Sequence, residues 1–258
     1  MAILTEWEKL PPFMKTPEVR KYYDILSGKR VSLGAKRCFD VALSGLLLLC
    51  LLPLFIVIAV AVKLDTPGPV FFRQERVTRY GRRFRIFKFR TMTANAPGRG
   101  PSVTVRGDSR VTRTGRLLRS LKLDELPQLI DVFRGTMTFV GTRPEVPRYV
   151  AEYTPEMYAT LLLPAGITSR ASIEYREESE LLCSADDADK TYISTVLPAK
   201  MKYNLGQLRG FSLWDDIRTI FMTAAALFGY SRRGSGDPDG SSRKTDATTT
   251  DKGGDFLK

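Results

Sequence analysis

Histidine is absent from all 258 residues of this chain. Without an imidazole there is no Ser-His-Asp or Cys-His relay, no His-ligated zinc and no use of the commonest general base. Any catalysis must draw on carboxylates, Lys, Arg, Tyr or a metal bound through oxygen. Cysteine is scarce as well: Cys38, Cys50 and Cys183 are odd in number, widely spaced and fit no metal or redox pattern, which points to a reducing compartment. Acidic residues are nearly missing from one region. Between Arg73 and Arg119 only Glu75 and Asp108 stand against thirteen Arg and Lys88, a local charge of +12. The formal net charge of the whole chain is also +12, so the remainder is balanced. That basic stretch should face an anionic partner: phosphates, nucleic acid or a plane of lipid headgroups. The excess of Arg over Lys favours bidentate phosphate or carboxylate contacts over simple solubility.

What is present in quantity is apolar. From Val41 to Val62 the chain runs 22 residues without a charge, and about 20 such residues suffice for a helix to cross a bilayer. The run begins some forty residues in and exceeds the roughly 7–15 residues of a signal-peptide core, so it reads as a membrane segment and not as a cleaved leader. Pro53 divides it, and a kink or break is expected there because proline lacks an N–H and clashes with the preceding turn. Lys36 and Arg37 flank one end and Lys63 the other. A spanning helix usually shows a Lys/Arg asymmetry, whereas matched basic flanks suit a segment that enters and leaves on one face. Crossing and re-entry both remain open on these residues alone.

The surroundings divide into an N-terminal arm (residues 1–36), the membrane segment (37–64), a domain (65–230) and a tail (231–258). The arm carries Trp7, Phe13, Tyr22 and Tyr23 among prolines 11, 12 and 17, and reads as short helices or a surface arm. Thr66 to Pro69 is a loop. Val70–Phe72 and Phe84–Phe89 alternate like short strands. Ala94–Pro101 reads as a loop, and Arg113–Arg134, Pro155–Leu163 and Ser212–Phe228 as helices. The tail, rich in Gly, Ser, Thr, Asp and Lys, is expected to be disordered.

Chemistry concentrates at Asp124-Glu125. Leu126, Leu129, Ile130 and Phe133 recur at helical spacing, and Pro127 suits the first turn of a helix. The acid pair then sits at or just before the helix N-terminus, where backbone N–H groups favour negative charge. Adjacent carboxylates can divide labour, one attacking a phosphorus and the other holding a divalent cation. A plain helix-capping pair is the competing reading. Arg113, Arg116 and Arg119 before the pair, and Arg143 in the Gly-containing turn after it, shift the balance toward phosphoryl transfer at a bilayer surface, where arginines and Mg²⁺ offset phosphate charge.

Several ordered motifs extend this picture. Lys36-Arg37-Cys38-Phe39-Asp40 leads into the proline-broken run. Pro67 to Arg76, Phe87-Lys88-Phe89-Arg90-Thr91-Met92, Leu123 to Leu129 and Phe139 to Glu145 follow, and Gly166-Ile167-Thr168 and Ser212 to Ile217 close the series. In these motifs and their order the chain resembles the bacterial sugar transferases, or monotopic phosphoglycosyl transferases, over about residues 36 to 229. The resemblance implies an α+β, mainly helical fold: a small cytoplasmic catalytic domain on a re-entrant membrane helix broken at Pro53. It implies transfer of a sugar 1-phosphate from a UDP-sugar to a polyprenol phosphate, with release of UMP, at the cytoplasmic face of the bacterial inner membrane. Asp124 maps to the covalent nucleophile and Glu125 to the Mg²⁺-associated carboxylate. Lys88, Arg90, Arg143, Arg176 and Asp216 map to positions lining the site. The partners implied are the UDP-sugar, polyprenol phosphate and anionic membrane lipids. Leu52, Thr142, Asp131 and Ser169 depart from the residues usual in that family, but none removes the acid pair.

The bland reading of Lys88, Arg90 and Arg143 is surface charge on a strand or turn, and Asp216 could instead cap the last helix. A basic protein that only binds anionic lipid or nucleic acid would explain the arginines. It leaves the dyad unexplained, and no recognition helix or aromatic base platform is evident, so nucleic acid is not an expected partner. A glycosyltransferase moving the sugar alone would release UDP instead of UMP.

Overall fold

The computed structural model of the protein describes residues 4–93, 110–175 and 187–234. Two single 3-10 turns, Trp7–Lys9 and Pro12–Met14, lead into helix α1 (Pro17–Ser27). The Thr16 side chain accepts from the Val19 N–H at 3.3 Å, and Pro17 occupies the first turn, where its missing N–H costs nothing. Val19, Tyr22, Tyr23 and Leu26 share one buried face and pack with Tyr149, Leu162, Leu197 and Met201. The first residues described thus form part of the main core and do not lie loosely on a surface.

Helix α2 (Arg30–Cys50) begins ahead of the boundary expected at 37 and is followed directly by α3 (Leu52–Asp65). The two are bent by 62°. Leu51 closes one helix and opens the other: its N–H reaches Leu47 O and its carbonyl accepts from Phe55 N–H, both at 2.9 Å. The break therefore lies just before Pro53, which sits in the first turn of α3 where proline is tolerated. Among the described residues no single helix is long and apolar enough to cross a membrane; the bent pair taken together is, by length and composition. Leu46, Leu49, Leu52, Ile56, Val57 and Val60 around the bend are exposed.

Strands β1 (Phe71–Val77) and β2 (Arg83–Phe89) form an antiparallel hairpin with Phe71 opposite Phe89 and Arg73 opposite Phe87. Helices α4 (Arg113–Ser120) and α5 (Gln128–Arg134) follow. The helix expected over Arg113–Arg134 is interrupted: Lys122 takes φ +56°, and a 3-10 turn, Leu123–Glu125, precedes Pro127. Proline cannot donate to the turn before it, so a new helix starts there in place of one continuous helix. Strand β3 (Met137–Val140) pairs in parallel with β4 (Ala165–Thr168), with α6 (Pro147–Val150) and the 3-10 stretch Met157–Leu162, where a helix was expected, between them. The chain continues through α7 (Arg170–Glu174), α8 (Ala188–Thr191), α9 (Leu197–Arg209) and α10 (Leu213–Gly234). The last helix enters the segment expected to be disordered; the rest of that tail, and the Ala94–Pro101 loop, lie outside the described residues.

Two apolar clusters hold the bent helix pair to the domain. Leu43, Leu47, Leu48 and Leu51 pack on Ile86, Leu129, Val132, Met137 and Phe139. Ile58 and Val62 of α3 pack with Phe89 and Leu118. Burying side chains of this size contributes about 1.5–3 kcal/mol each. The turn bearing Asp124 and Glu125 belongs to the second contact, since Leu123 and Leu126 pack against it.

Candidate active site

Glu125 is the hub of the site. Lys88, from β2, donates to its Oε1 at 2.8 Å, and Arg143 donates Nη2 to Oε1 at 2.7 Å and Nη1 to Oε2 at 3.3 Å. Each cation arrives by a separate structural route. Lys88 is carried on the hairpin. Arg143 follows β3, where the backbone of Gly141 and Thr142 is locked against β4 by Gly141 N–H to Thr168 O at 3.0 Å and Gly166 N–H to Thr142 O at 2.8 Å. A Cβ on Gly166 would stand 2.2 Å from Gly141 N, so only glycine permits this approach. Beyond Arg143, the buried Glu145 accepts from Tyr192 OH at 2.5 Å, and Lys200 lies 3.8 Å away, pinning the same segment to α9.

Asp124 is buried beside this hub, and its Oδ1 has no hydrogen-bond partner among the described residues. Burial raises the Asp124 pKa first, and the neighbouring Glu125 charge adds to the rise; Lys88, Arg119 and Lys122 oppose it. Glu125 behaves in the opposite way. Burial alone would push its carboxyl up, but Arg143 and Lys88 hold it well below the ordinary 4.5. Burial lowers the Lys88 pKa, offset in part by Glu125. Two adjacent carboxylates are thus driven apart in acidity, which is how one site assigns separate tasks to similar groups.

The donor chemistry suits a magnesium ion. Among the described residues no group of three or more His, Cys, Asp or Glu side chains is placed to hold a metal. Mg²⁺, however, is typically held by one or two carboxylates with substrate phosphates completing the shell. Glu125 Oε2, which receives a single long hydrogen bond among the described residues, retains capacity for such an ion.

Of the remaining expected site residues, Arg90 and Asp216 make their hydrogen bonds away from Glu125. Arg90 is buried at the end of β2, where its Nη2 donates to Val62 O at 3.1 Å, Thr66 O at 2.5 Å and Thr66 Oγ1 at 3.0 Å. It caps the C-terminal end of α3, a position that suits a cation, while its Nε and Nη1 are buried without partners among the described residues. Asp216, on α10, accepts from Lys36 Nζ at 2.5 Å and Gln207 Nε2 at 3.4 Å. Its pKa is raised because burial outweighs the Lys36 charge. Arg176 lies outside the described residues. Two contributors were not marked as site residues from sequence. Arg119 bonds Thr91 Oγ1 at 2.8 Å while its charge favours ionised Asp124. Asp131 accepts from Phe87 N–H at 2.9 Å, bracing β2 one residue before Lys88. Only the tertiary packing of α5 on the hairpin could have disclosed the second.

Fold and site together define a protein whose acid dyad is carried on a turn packed against a bent apolar helix pair. Residues 31–230 match the family described as bacterial sugar transferase, and the chain belongs to that family. It is 37% identical over 199 residues to the UDP-glucose:undecaprenyl-phosphate glucose-1-phosphate transferase of Caulobacter vibrioides, covering 74% of this chain and 69% of that protein. It is 36% identical over 196 residues to the UDP-N-acetylgalactosamine-undecaprenyl-phosphate N-acetylgalactosaminephosphotransferase of Aeromonas hydrophila, covering 74% of this chain and 43% of that protein. With the UDP-glucose:undecaprenyl-phosphate glucose-1-phosphate transferase of Escherichia coli it shares 35% identity over 211 residues, covering 80% of this chain and 42% of that protein. The chain thus spans less than half the length of the last two relatives.

Proposed function

We propose that this enzyme transfers a sugar 1-phosphate from a UDP-sugar to undecaprenyl phosphate, releasing UMP, as the first membrane step of a bacterial glycoconjugate or exopolysaccharide. The observation that carries the reading is the buried Asp124 carboxylate set beside Glu125, whose own charge is held by Lys88 and Arg143. An Asp124 oxygen forms a bond to the sugar-bearing phosphorus as the P–O bond to UMP breaks. A phosphate oxygen of the polyprenol phosphate then bonds to that phosphorus, and the Asp124–phosphorus bond breaks. Asp124 is regenerated, and the product is a polyprenyl diphosphate sugar. Lys88 and Arg143 can exchange part of their hold on Glu125 for the leaving phosphate. A Mg²⁺ held at Glu125 would neutralise charge on the diphosphate.

The reading places α2 and α3 as a re-entrant element on the cytoplasmic face. Its support is that both ends of the bent pair are tied to one folded body. Lys36, before the apolar run, bonds Asp216, and Asp65, after it, accepts from Thr114 N–H at 2.9 Å. Ends separated by a hydrocarbon core about 30 Å thick would not both reach the same polar domain. Labelling that found residues 36 and 63 on opposite faces would overturn this placement.

The reaction is tested with purified protein, a panel of UDP-sugars and undecaprenyl phosphate, scoring the released nucleotide. UMP release that disappears in Asp124→Asn supports the mechanism. UDP release would indicate transfer of the sugar alone, and full activity in Asp124→Asn would exclude the covalent route.

A further inference from the structure

The acid dyad uses only part of the arginine-rich stretch. Successive strand residues point to opposite faces, so Phe87 and Arg85 lie on the face of β2 away from Lys88. Arg73, the cross-strand partner of Phe87, lies on that same face. The Arg73 guanidinium stands 3.4 Å from the Phe87 ring centroid, and that of Arg134, from the end of α5, stands 5.2 Å from it. Arg73 donates Nε and Nη2 to Arg85 O at 3.1 and 2.6 Å, which fixes its planar fork beside the ring. Two acids belong to this group: Asp131, buried and already accepting from Phe87 N–H, and Glu75, the exposed cross-strand partner of Arg85, which accepts from Arg83 at 3.2 Å. Four exposed guanidiniums, those of Arg73, Arg83, Arg85 and Arg134, against these two carboxylates leave a surplus of positive charge. The Arg85 and Arg134 side chains make no hydrogen bond among the described residues. Such a like-charged group gains from an added anion.

Its position says which anion. Phe133, next to Arg134, is half exposed, and its ring lies 3.3 Å from where a Cβ on Gly45 would stand, within the apolar run of α2. Arg134 therefore follows directly on an exposed aromatic that lies against a helix whose Leu46 and Leu49 are uncovered. An apolar body carrying a cationic tip is the arrangement that suits the boundary between acyl chains and headgroups.

We propose that Arg73, Arg85 and Arg134 form a seat around Phe87 for the phosphate of an anionic phospholipid in the leaflet that holds α2 and α3. The seat rests on the membrane placement above and lies across β2 from Lys88 and Glu125, so it is distinct from the place where the acceptor phosphate reacts. Arg supplies bidentate contacts to the phosphate, and the exposed Phe133 meets the adjoining acyl chains.

The test is native mass spectrometry of the full chain, extracted from membranes in mild detergent, with phosphatidylglycerol or phosphatidylcholine added. The wild type should retain phosphatidylglycerol in preference to phosphatidylcholine. Arg73→Gln/Arg134→Gln should lose that preference while still fractionating with membranes. Asp124→Asn, inactive by the mechanism above, should retain it. Unchanged phosphatidylglycerol retention in the double variant overturns the seat and leaves the membrane placement standing. Displacement of the bound lipid by equimolar polyprenol phosphate also overturns it, by making this the acceptor's seat. A wild-type chain that failed to fractionate with membranes would remove the membrane placement, and the seat with it.

Discussion

Lys88 Nζ donates to Glu125 Oε1 at 2.8 Å, joining β2 to the turn before α5 across 37 positions of sequence. Arg143 shares the same oxygen, so Glu125 keeps a cation if Lys88 is removed. Lys88→Met is therefore expected to cost only about 1–3 kcal/mol of stability, the range for losing one buried hydrogen-bonded partner. Its effect on turnover should be larger, about 10²–10³-fold in kcat, as for other preorganised charges aimed at a transition state. Thermal unfolding and steady-state UMP release on one preparation separate the two effects. A variant that melts early but turns over normally would reduce Lys88 to a structural role.

Acid dependence follows from the opposed shifts in the dyad. In the proposed mechanism Asp124 must be ionised to attack, and burial holds its pKa above the ordinary 3.8. The acid limb of kcat/KM for UMP release should therefore lie above the usual Asp range. Lys88 favours the ionised form, so Lys88→Met should move that limb further up. The stability signs differ between the two acids. Glu125, depressed below 4.5, contributes stability that is present above that value and lost as pH falls through its folded pKa. Asp124, raised, favours the folded state less as pH climbs through its own. A pH–rate profile whose acid limb did not respond to Lys88→Met would detach Asp124 from the ionisation that controls turnover.

The dyad and its two cations were legible in sequence because they sit in short motifs of unusual composition: Asp124-Glu125 before Pro127, Lys88 in an alternating strand, Arg143 after a glycine turn. The second strand was legible for the same local reason, but only the first residues of β1 were, and the pairing of the two into a hairpin was not. Arg90 was harder to place. Strand alternation sets it on the same face as Lys88, but the carbonyls of Val62 and Thr66 that it caps are brought there only by packing of Ile58 and Val62 against Phe89. The helix start near Pro127 was legible, but the end of α4 at Ser120 and the turn at Lys122 were not, because apolar residues continue at helical spacing on both sides. The core role of residues 4–27 depends on partners such as Leu162 and Leu197, far along the chain.

Metal dependence tests the use of Glu125 directly. With a Mg²⁺ held through Glu125 Oε2 and the substrate diphosphate, a chelator should abolish UMP release and added Mg²⁺ should restore it. Glu125→Gln keeps an oxygen acceptor but loses the charge, and should need much more Mg²⁺ for whatever rate remains. Activity that persisted in EDTA would leave Lys88 and Arg143 as the agents offsetting phosphate charge.

Asp216 offers the sharpest contrast between what resemblance implies and where the structure puts a side chain. It is buried against Lys36, with Gln207 also donating to it, in a contact that ties α10 to the start of the bent helix pair. Removing one partner of a buried pair typically costs about 3–5 kcal/mol, because the other charge is left without compensation. Replacing both with apolar residues of similar size is often near neutral. Asp216→Asn should accordingly lower the melting temperature strongly, and Lys36→Met/Asp216→Leu should recover much of the loss. KM for the UDP-sugar in the recovered double variant decides the role. Near the wild-type value, it makes Asp216 a clamp between α2 and α10; raised with stability restored, it makes Asp216 a substrate contact that the Lys36 pairing holds in reserve.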